Sequence, residues 1–248
     1  MAQRELWPFL REVPKDFVLY GGTAVALRCG HRQSVDFDFF STRNDPNVLS
    51  STEKLSFVSK YATKCDLQTT RNNSSQAIYN LCMSDNTNVQ VTFVRDSNWI
   101  GGAVKQPDTA SDNRINIASP IDLMATKIDS MIQRKAIKDF IDVAELVSSG
   151  ISFQKGLSAL LAIRKDNLVS EISDINTFIG NMDYDGEEFI KSHFYKDETI
   201  NPNYVSVLTQ VANILVNEAA NTDLRAVIKN SSKIKVSEDL SFSLRYER

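Results

Sequence analysis

A chain of 248 residues, 42% hydrophobic and 24% charged, has the composition of an ordinary globular protein with one large or two small domains. A net charge of −3 and a pI of about 5.5 exclude nucleic-acid binding through overall basicity, so an RNA partner would require a local basic patch. No apolar run approaches the roughly 20 residues of a membrane span, the first residues lack a signal peptide's basic-then-apolar layout, and Cys29, Cys65 and Cys82 lie singly, without a CxxC pair. A cytoplasmic protein with no membrane partner, no disulfide framework and no structural zinc is expected.

The first elements are short. Glu5–Val13 carries Leu6, Phe9, Leu10 and Val13 on one helical stripe. A turn at Pro14-Lys15-Asp16 leads to a strand at Phe17–Tyr20, then Gly21-Gly22, a helix at Thr23–Cys29 and Gly30 as its C-terminal glycine. A second strand is predicted over Ser34–Phe40, central in the sheet because it is almost continuously apolar. A helix over Pro46–Tyr61 follows, then strands at 66–70, 76–83 and 88–94 separated by the polar turns 72–75 and 84–87, and a short strand at Arg114–Ala118. Helical periodicity begins at Ser119-Pro120-Ile121-Asp122, a strong N-cap sequence, and runs to Val147 with a possible break near Lys135. Further helices are predicted at 153–167, 169–179 and 204–220; 231–248 gives no clear pattern. The expected fold is α+β, a mixed sheet domain over residues 1–118 followed by a helical region over 119–248 packed on it.

Asp36 and Asp38 interrupt the apolar second strand. In a strand, residues two apart share a face, so both carboxylates leave one side about 6–7 Å apart, while Val35, Phe37 and Phe39 leave the other and bury. A pair of rigid carboxylates suits a hard cation such as Mg2+. Gly21 and Gly22 open a helix whose first N–H groups can receive phosphate, and Thr23 adds a hydroxyl. Arg32 and Arg28 could meet phosphate or pair with the acids, Ser34 shares the face of the aspartates, and His31 fits packing better than base catalysis.

The phrase Gly-Gly-Thr-Ala-Val-Ala-Leu-Arg-Cys-Gly-His-Arg-Gln-Ser-Val-Asp-Phe-Asp-Phe-Phe, residues 21–40, resembles the DNA polymerase beta-type nucleotidyltransferases and, more narrowly, the AbiEii/AbiGii toxin family of bacterial toxin–antitoxin and phage-defence systems. The resemblance covers roughly residues 17–147. It implies a polymerase beta-type nucleotidyltransferase fold and Mg2+-dependent transfer of NMP from an NTP to an acceptor hydroxyl, with the 3′ end of tRNA as acceptor and a cognate antitoxin as partner. Asp36 and Asp38 would hold metal, and Gly21, Gly22 and Thr23 would cradle phosphate with help from Arg32 and Ser34.

The second half of the resemblance lies at Lys127 and at Arg134-Lys-Ala-Ile-Lys138-Asp139-Phe-Ile-Asp142. By it, Lys127 is the nucleotide-phosphate lysine, and Asp142 and its neighbour Asp139 are the later acids. Read as one helix, this stretch places Arg134 and Lys138 within about 20° of Lys127, Asp142 about 60° away and Asp139 about 120° away, a basic stripe beside an acid. A solvated charged face is the plainer alternative. One departure stands out: many enzymes of the wider fold carry a third carboxylate on the strand beside the aspartate pair, and the counterpart here, Asn88–Arg95, has none. Asp142 or Asp139 then completes the set, or two carboxylates and a lysine suffice. A small-molecule or protein nucleotidyltransferase, and an inactive nucleotide- or partner-binding module, remain the alternative expectations.

Overall fold

The computed structural model describes residues 2–34, 36–43, 45, 47–69, 75–95, 105–134, 136–164, 213–214, 217–218 and 220–234. The described residues up to Leu123 form one compact unit and those from Met124 to Ile234 a second.

The first unit is built on a seven-stranded mixed sheet. Its strands are β1 (Phe17–Tyr20), β2 (Phe37–Ser41), β3 (Ala62–Thr69), β4 (Ser75–Cys82), β5 (Asn88–Arg95), β6 (Asp108–Thr109) and β7 (Asn116–Ile117). They lie in the order β3-β4-β5-β2-β1-β7-β6. β2 runs antiparallel to β1 and parallel to β5, which makes it central, as its apolar run predicts. Helix α1 (Ala2–Leu6) gives way at Pro8 to a 3-10 turn, Trp7–Glu12, where one helix was expected, because proline lacks the N–H that a continuing helix needs. Likewise Pro46–Tyr61 is not one helix: a 3-10 segment, Val48–Lys54, precedes α3 (Ser56–Tyr61). α2 spans Gly21–Cys29 and stops at Gly30, whose φ of 67° is left-handed. The two-residue strand β6 was not foreseen, and β7 is shorter than expected. Both are too brief for a period-2 signal.

Alternation in β2 sets the core. Phe37, Phe39 and Ser41 are buried, while Asp38 and Phe40 are half-buried on the opposite face. Phe39 stacks on Phe93 at 5.3 Å, and Phe17 and Tyr79 meet the same Phe93 ring edge-on at 5.0 and 6.1 Å. Such aromatic packing contributes about 0.5–1.5 kcal/mol per pair beyond area burial. The buried Tyr79 hydroxyl is satisfied by Thr52 Oγ1 at 2.8 Å. At the N-terminus, the Glu5 carboxylate accepts from Ser84 Oγ at 2.6 Å and Ser84 N–H at 3.2 Å, which lowers its pKa below the ordinary value.

The second unit is helical. It holds α4 from Met124 onward (α4 spans Pro120–Arg134), α5 (Ile137–Ser148), α6 (Phe153–Arg164) and α7 (Leu224–Ser231), the last packed on α6. Buried residues recur at helical spacing: Met124, Ala125, Ile128 and Met131 in α4, Phe140, Val143, Ala144 in α5, Phe153, Leu157 and Leu160 in α6. Residues 165–167 of the predicted 153–167 helix, the helix predicted over 169–179, most of that over 204–220, turn residues 72–74 and the segment 235–248 lie outside the described residues. No helix among the described residues is long and apolar enough to cross a membrane.

Gly156 is where α6 meets α4. A Cβ there would collide with Met124 Cγ, and would stand 3.0 Å from Met124 Cβ and 3.3 Å from Ile128 Cδ1. Gly156→Ala gains about 1 kcal/mol of helix propensity but overpacks a contact with a fully buried Met124, which costs about 1–3 kcal/mol. Overpacking wins, and the urea midpoint is expected to fall; a rise would show that Met124 can move aside.

Candidate active site

The helix α2 begins directly after β1, with no intervening loop. Gly21 makes that turn at φ +73°, a left-handed conformation disfavoured for other residues. Tyr20 and Asp38 are direct partners across the antiparallel β1–β2 pair. Consequently Asp38 comes against the turn: a Cβ on Gly21 would collide with Asp38 Oδ2 and stand 3.3 Å from Asp38 Cβ. A Cβ on Gly22 would collide with Arg32 Nη2 and stand 3.2 Å from Ser34 Oγ. A carboxylate and a guanidinium thus lie against the backbone of two successive glycines. The helix they open has no side-chain cap from Tyr20. Its first N–H groups carry the positive end of the helix dipole.

Asp36 precedes the strand instead of lying in it, since β2 starts at Phe37. The shared-face argument from strand alternation therefore holds for Asp38 but not for Asp36 or Ser34. What positions Asp36 is Thr23. This buried threonine donates its hydroxyl to the Asp36 carbonyl oxygen and lies 2.9 Å from Ser34 Oγ. Thr23 thereby fixes the chain before β2 against the first turn of α2. Both Asp36 and Asp38 are half-buried. Arg32 donates to the Gln33 carbonyl at 3.0 Å. Arg28 turns elsewhere, donating to Asp108 Oδ2 and to the Ala118 carbonyl, each at 2.6 Å, so it ties α2 to β6 and β7.

Asp38 also stands beside Thr92 of β5, its direct partner in the parallel pair. The strand that would offer a third carboxylate is thus the one aligned with the pair, and a threonine occupies the neighbouring position. Thr92 and Tyr20 flank Asp38 across the sheet, and sequence reading did not single them out. The alternation of Thr92 between the buried Val91 and Phe93 was the available signal. Among the described residues no group of three or more acids, histidines or cysteines is placed to hold a metal. The donors at hand are two half-buried carboxylates, whose hard oxygens fit Mg2+.

The second group of predicted residues meets in the helical unit. α4 ends at Arg134 and α5 begins at Ile137 after the extended Ala136, so the stretch is not one helix and the single-helix stripe of Lys127, Arg134 and Lys138 does not form. Lys138 is exposed, whereas Lys127 is 3% exposed and its ammonium lies 3.0 Å from Asp139 Oδ1 and 2.7 Å from Asp142 Oδ2. Asp139 and Asp142, one turn apart on α5, share a face and are fully buried. The reversal between the helices brings the lysine and both acids together more closely than a continuous helix would.

Two substitutions test these contacts. Gly21→Ala meets both the positive φ and Asp38, and is expected to displace that carboxylate and lower NTP affinity by about tenfold or more; unchanged affinity in isothermal titration would show that the close approach is dispensable. Lys127→Met removes the ammonium that both buried carboxylates contact, with an expected stability loss of about 3–5 kcal/mol by denaturant titration; a loss below about 1 kcal/mol would reject the ionic account.

Comparisons with known proteins bear on the family and the fold. A family model described as the nucleotidyl transferase AbiEii toxin of a type IV toxin–antitoxin system matches residues 10–188. The comparison with curated protein sequences gives no match. Among solved structures, an H. pylori protein described as a putative nucleotidyltransferase superposes with a TM-score of 0.56 at 15% identity, over 94% of this chain and 95% of that one. JHP933 from Helicobacter pylori gives 0.55 at 16% identity over 98% and 94%. MenT4, the nucleotidyltransferase toxin Rv2826c from Mycobacterium tuberculosis H37Rv, gives 0.52 at 14% over 94% and 91%. These likenesses establish the shared fold. The family match covers well over half of the chain and takes in both the glycine–aspartate segment and the lysine–aspartate cluster, and the chain belongs to the AbiEii nucleotidyltransferase toxin family.

Proposed function

We propose that this toxin-family nucleotidyltransferase moves an NMP unit from an NTP to the 3′-terminal hydroxyl of tRNA, in an Mg2+-dependent reaction in the cytoplasm, and that a cognate antitoxin counters it. The acceptor oxygen would bond to the α-phosphorus, the bond to the β-phosphate oxygen would break, pyrophosphate would leave, and the hydroxyl proton would pass to solvent. The observation that carries the reading is the pair of side chains on the glycine turn, Asp38 against Gly21 and Arg32 against Gly22, at an uncapped helix start. Nothing larger than hydrogen fits there. A triphosphate approaching the same backbone would meet N–H donors, a guanidinium and, through Asp36 and Asp38, its metal.

Each residue has a separate part. Gly21 and Gly22 present backbone N–H groups to the β and γ phosphates. Thr23 and Ser34 hold the Asp36 segment in place through their hydroxyls. Arg32 supplies a charge to the phosphates. Asp36 and Asp38 would hold Mg2+, which supplies neutralisation of phosphate charge. To Lys127, with Asp139 and Asp142 as its carboxylate partners, we assign the phosphate-binding part that the family resemblance implies. Positioning and charge neutralisation, not covalent chemistry, would then account for most of the rate.

The acidic balance of the chain favours a second acceptor class, a small molecule or protein, and Thr92 in place of an acid favours a third reading, an inactive nucleotide-binding module. Incubation with each radiolabelled NTP, total tRNA and Mg2+ separates them. Label on tRNA is expected; label on another acceptor moves the reading to the second class, and NTP binding without transfer to the third. Asp38→Asn is expected to abolish transfer and growth inhibition while changing stability by less than about 1 kcal/mol. Full activity in that variant would remove Asp38 from the site.

A further inference from the structure

The last described helix carries an unusual concentration of positive charge. Between Leu224 and Lys235 the chain holds Arg225, Lys229, Lys233 and Lys235 and no acid, within a protein of net charge −3. α7 is anchored by Val227, which is fully buried, and opened by Asp223, whose carboxylate accepts the Arg225 and Ala226 N–H groups. At 100° per residue, Arg225 and Lys229 lie about 160° from Val227, on the face turned away from the core, and Lys233 lies in the turn just beyond the helix end at Ser231. All three are exposed, and none forms an ion pair among the described residues. Helix stability accounts for Lys229, which sits in the last turn where the dipole favours a cation, but not for Arg225, which sits in the first turn where the dipole opposes one.

We infer that Arg225 and Lys229 on this face of α7, with Lys233 in the turn that follows it, form a docking surface for the phosphate backbone of an RNA acceptor. The inference deepens the proposed tRNA acceptor and rests on that reading. An acidic protein that acts on a polyanion needs a local basic patch to offset its own charge. Arg225 and Lys229, four residues and about 6 Å apart along the helix, suit neighbouring phosphates along a backbone, and Lys233 adds a third cation just beyond the helix end. Such contacts carry no sequence information and hold the body of the acceptor, while the reacting end is selected elsewhere.

The test uses the full chain and its Arg225→Gln/Lys229→Gln/Lys233→Gln variant, with total tRNA as probe. Fluorescence anisotropy across a salt series is expected to show the variant binding tRNA at least about tenfold more weakly, with a log–log salt slope reduced by about 2–3. Transfer should show a raised KM for tRNA, an unchanged KM for NTP and an unchanged kcat. Arg225→Lys with Lys229→Arg and Lys233→Arg should behave as the parent, and all should melt alike. Unchanged tRNA affinity and salt slope in the Gln variant would overturn the inference, as would failure of the parent to bind tRNA. Loss of binding to phosphatidylserine vesicles alone, with tRNA binding intact, would assign the face to a membrane surface and also overturn it. The two readings separate cleanly: weakened tRNA binding with no transfer to any RNA by the parent upholds the docking surface and rejects the acceptor, and undiminished binding with transfer does the reverse.

Discussion

Two missing methyl groups govern the site. Had Gly21 or Gly22 carried a side chain, Asp38 and Arg32 could not occupy their positions, and α2 could not begin where β1 ends. Close packing of backbone against charged side chains is costly in isolation, because it restricts a flexible residue and draws a carboxylate toward partial burial. Here the positive pole of α2 faces the carboxylate and offsets part of that cost. The aromatic cluster behind β2 then makes the arrangement rigid: Phe39 locked against Phe93 prevents the strand from sliding, and a one-residue slip would turn Asp38 into the core. The aspartate faces away from the core for the same reason that the phenylalanines are buried.

The helical unit solves a different electrostatic problem. One ammonium stands between two buried carboxylates on the next helix. Buried ion pairs seldom add stability over an apolar alternative. Their retention in a helix pair otherwise lined by Met124, Ile128, Phe140 and Val143 points to a purpose other than holding the helices together.

Much of this was legible in the sequence, for identifiable reasons. The central place of β2 followed from its apolar run, and the end of α2 at Gly30 from a residue that accepts a positive φ. Ser119 and Asp122 were recognisable as a helix start, and they form a reciprocal cap: Ser119 Oγ donates to Asp122 Oδ2 at 2.6 Å, and the Asp122 N–H reaches Ser119 Oγ at 3.2 Å. Other features were not legible. Whether Asp36 falls inside or just before a strand depends on the Thr23 hydroxyl, a contact between residues 13 apart. The 3-10 segment at Val48–Lys54 has helical spacing and differs only in its hydrogen-bond ladder. The meeting of Lys127 with Asp139 and Asp142 needed the separation of α4 from α5 at the extended Ala136, which periodicity could hint at but not orient.

The order of the strands has a kinetic corollary. β3, β4 and β5 are joined by near-neighbour antiparallel pairings and can zip locally, whereas the strand bearing Asp38 must wait for β5, and β1 must wait for β7, far along the chain, to complete its other edge. Loop closure over such separations is slow. The strand bearing Asp38 therefore lies between β5, the edge of the early-forming meander, and β1, whose far side β7 completes last, so a nascent chain would acquire its meander well before the sheet around the candidate site is complete.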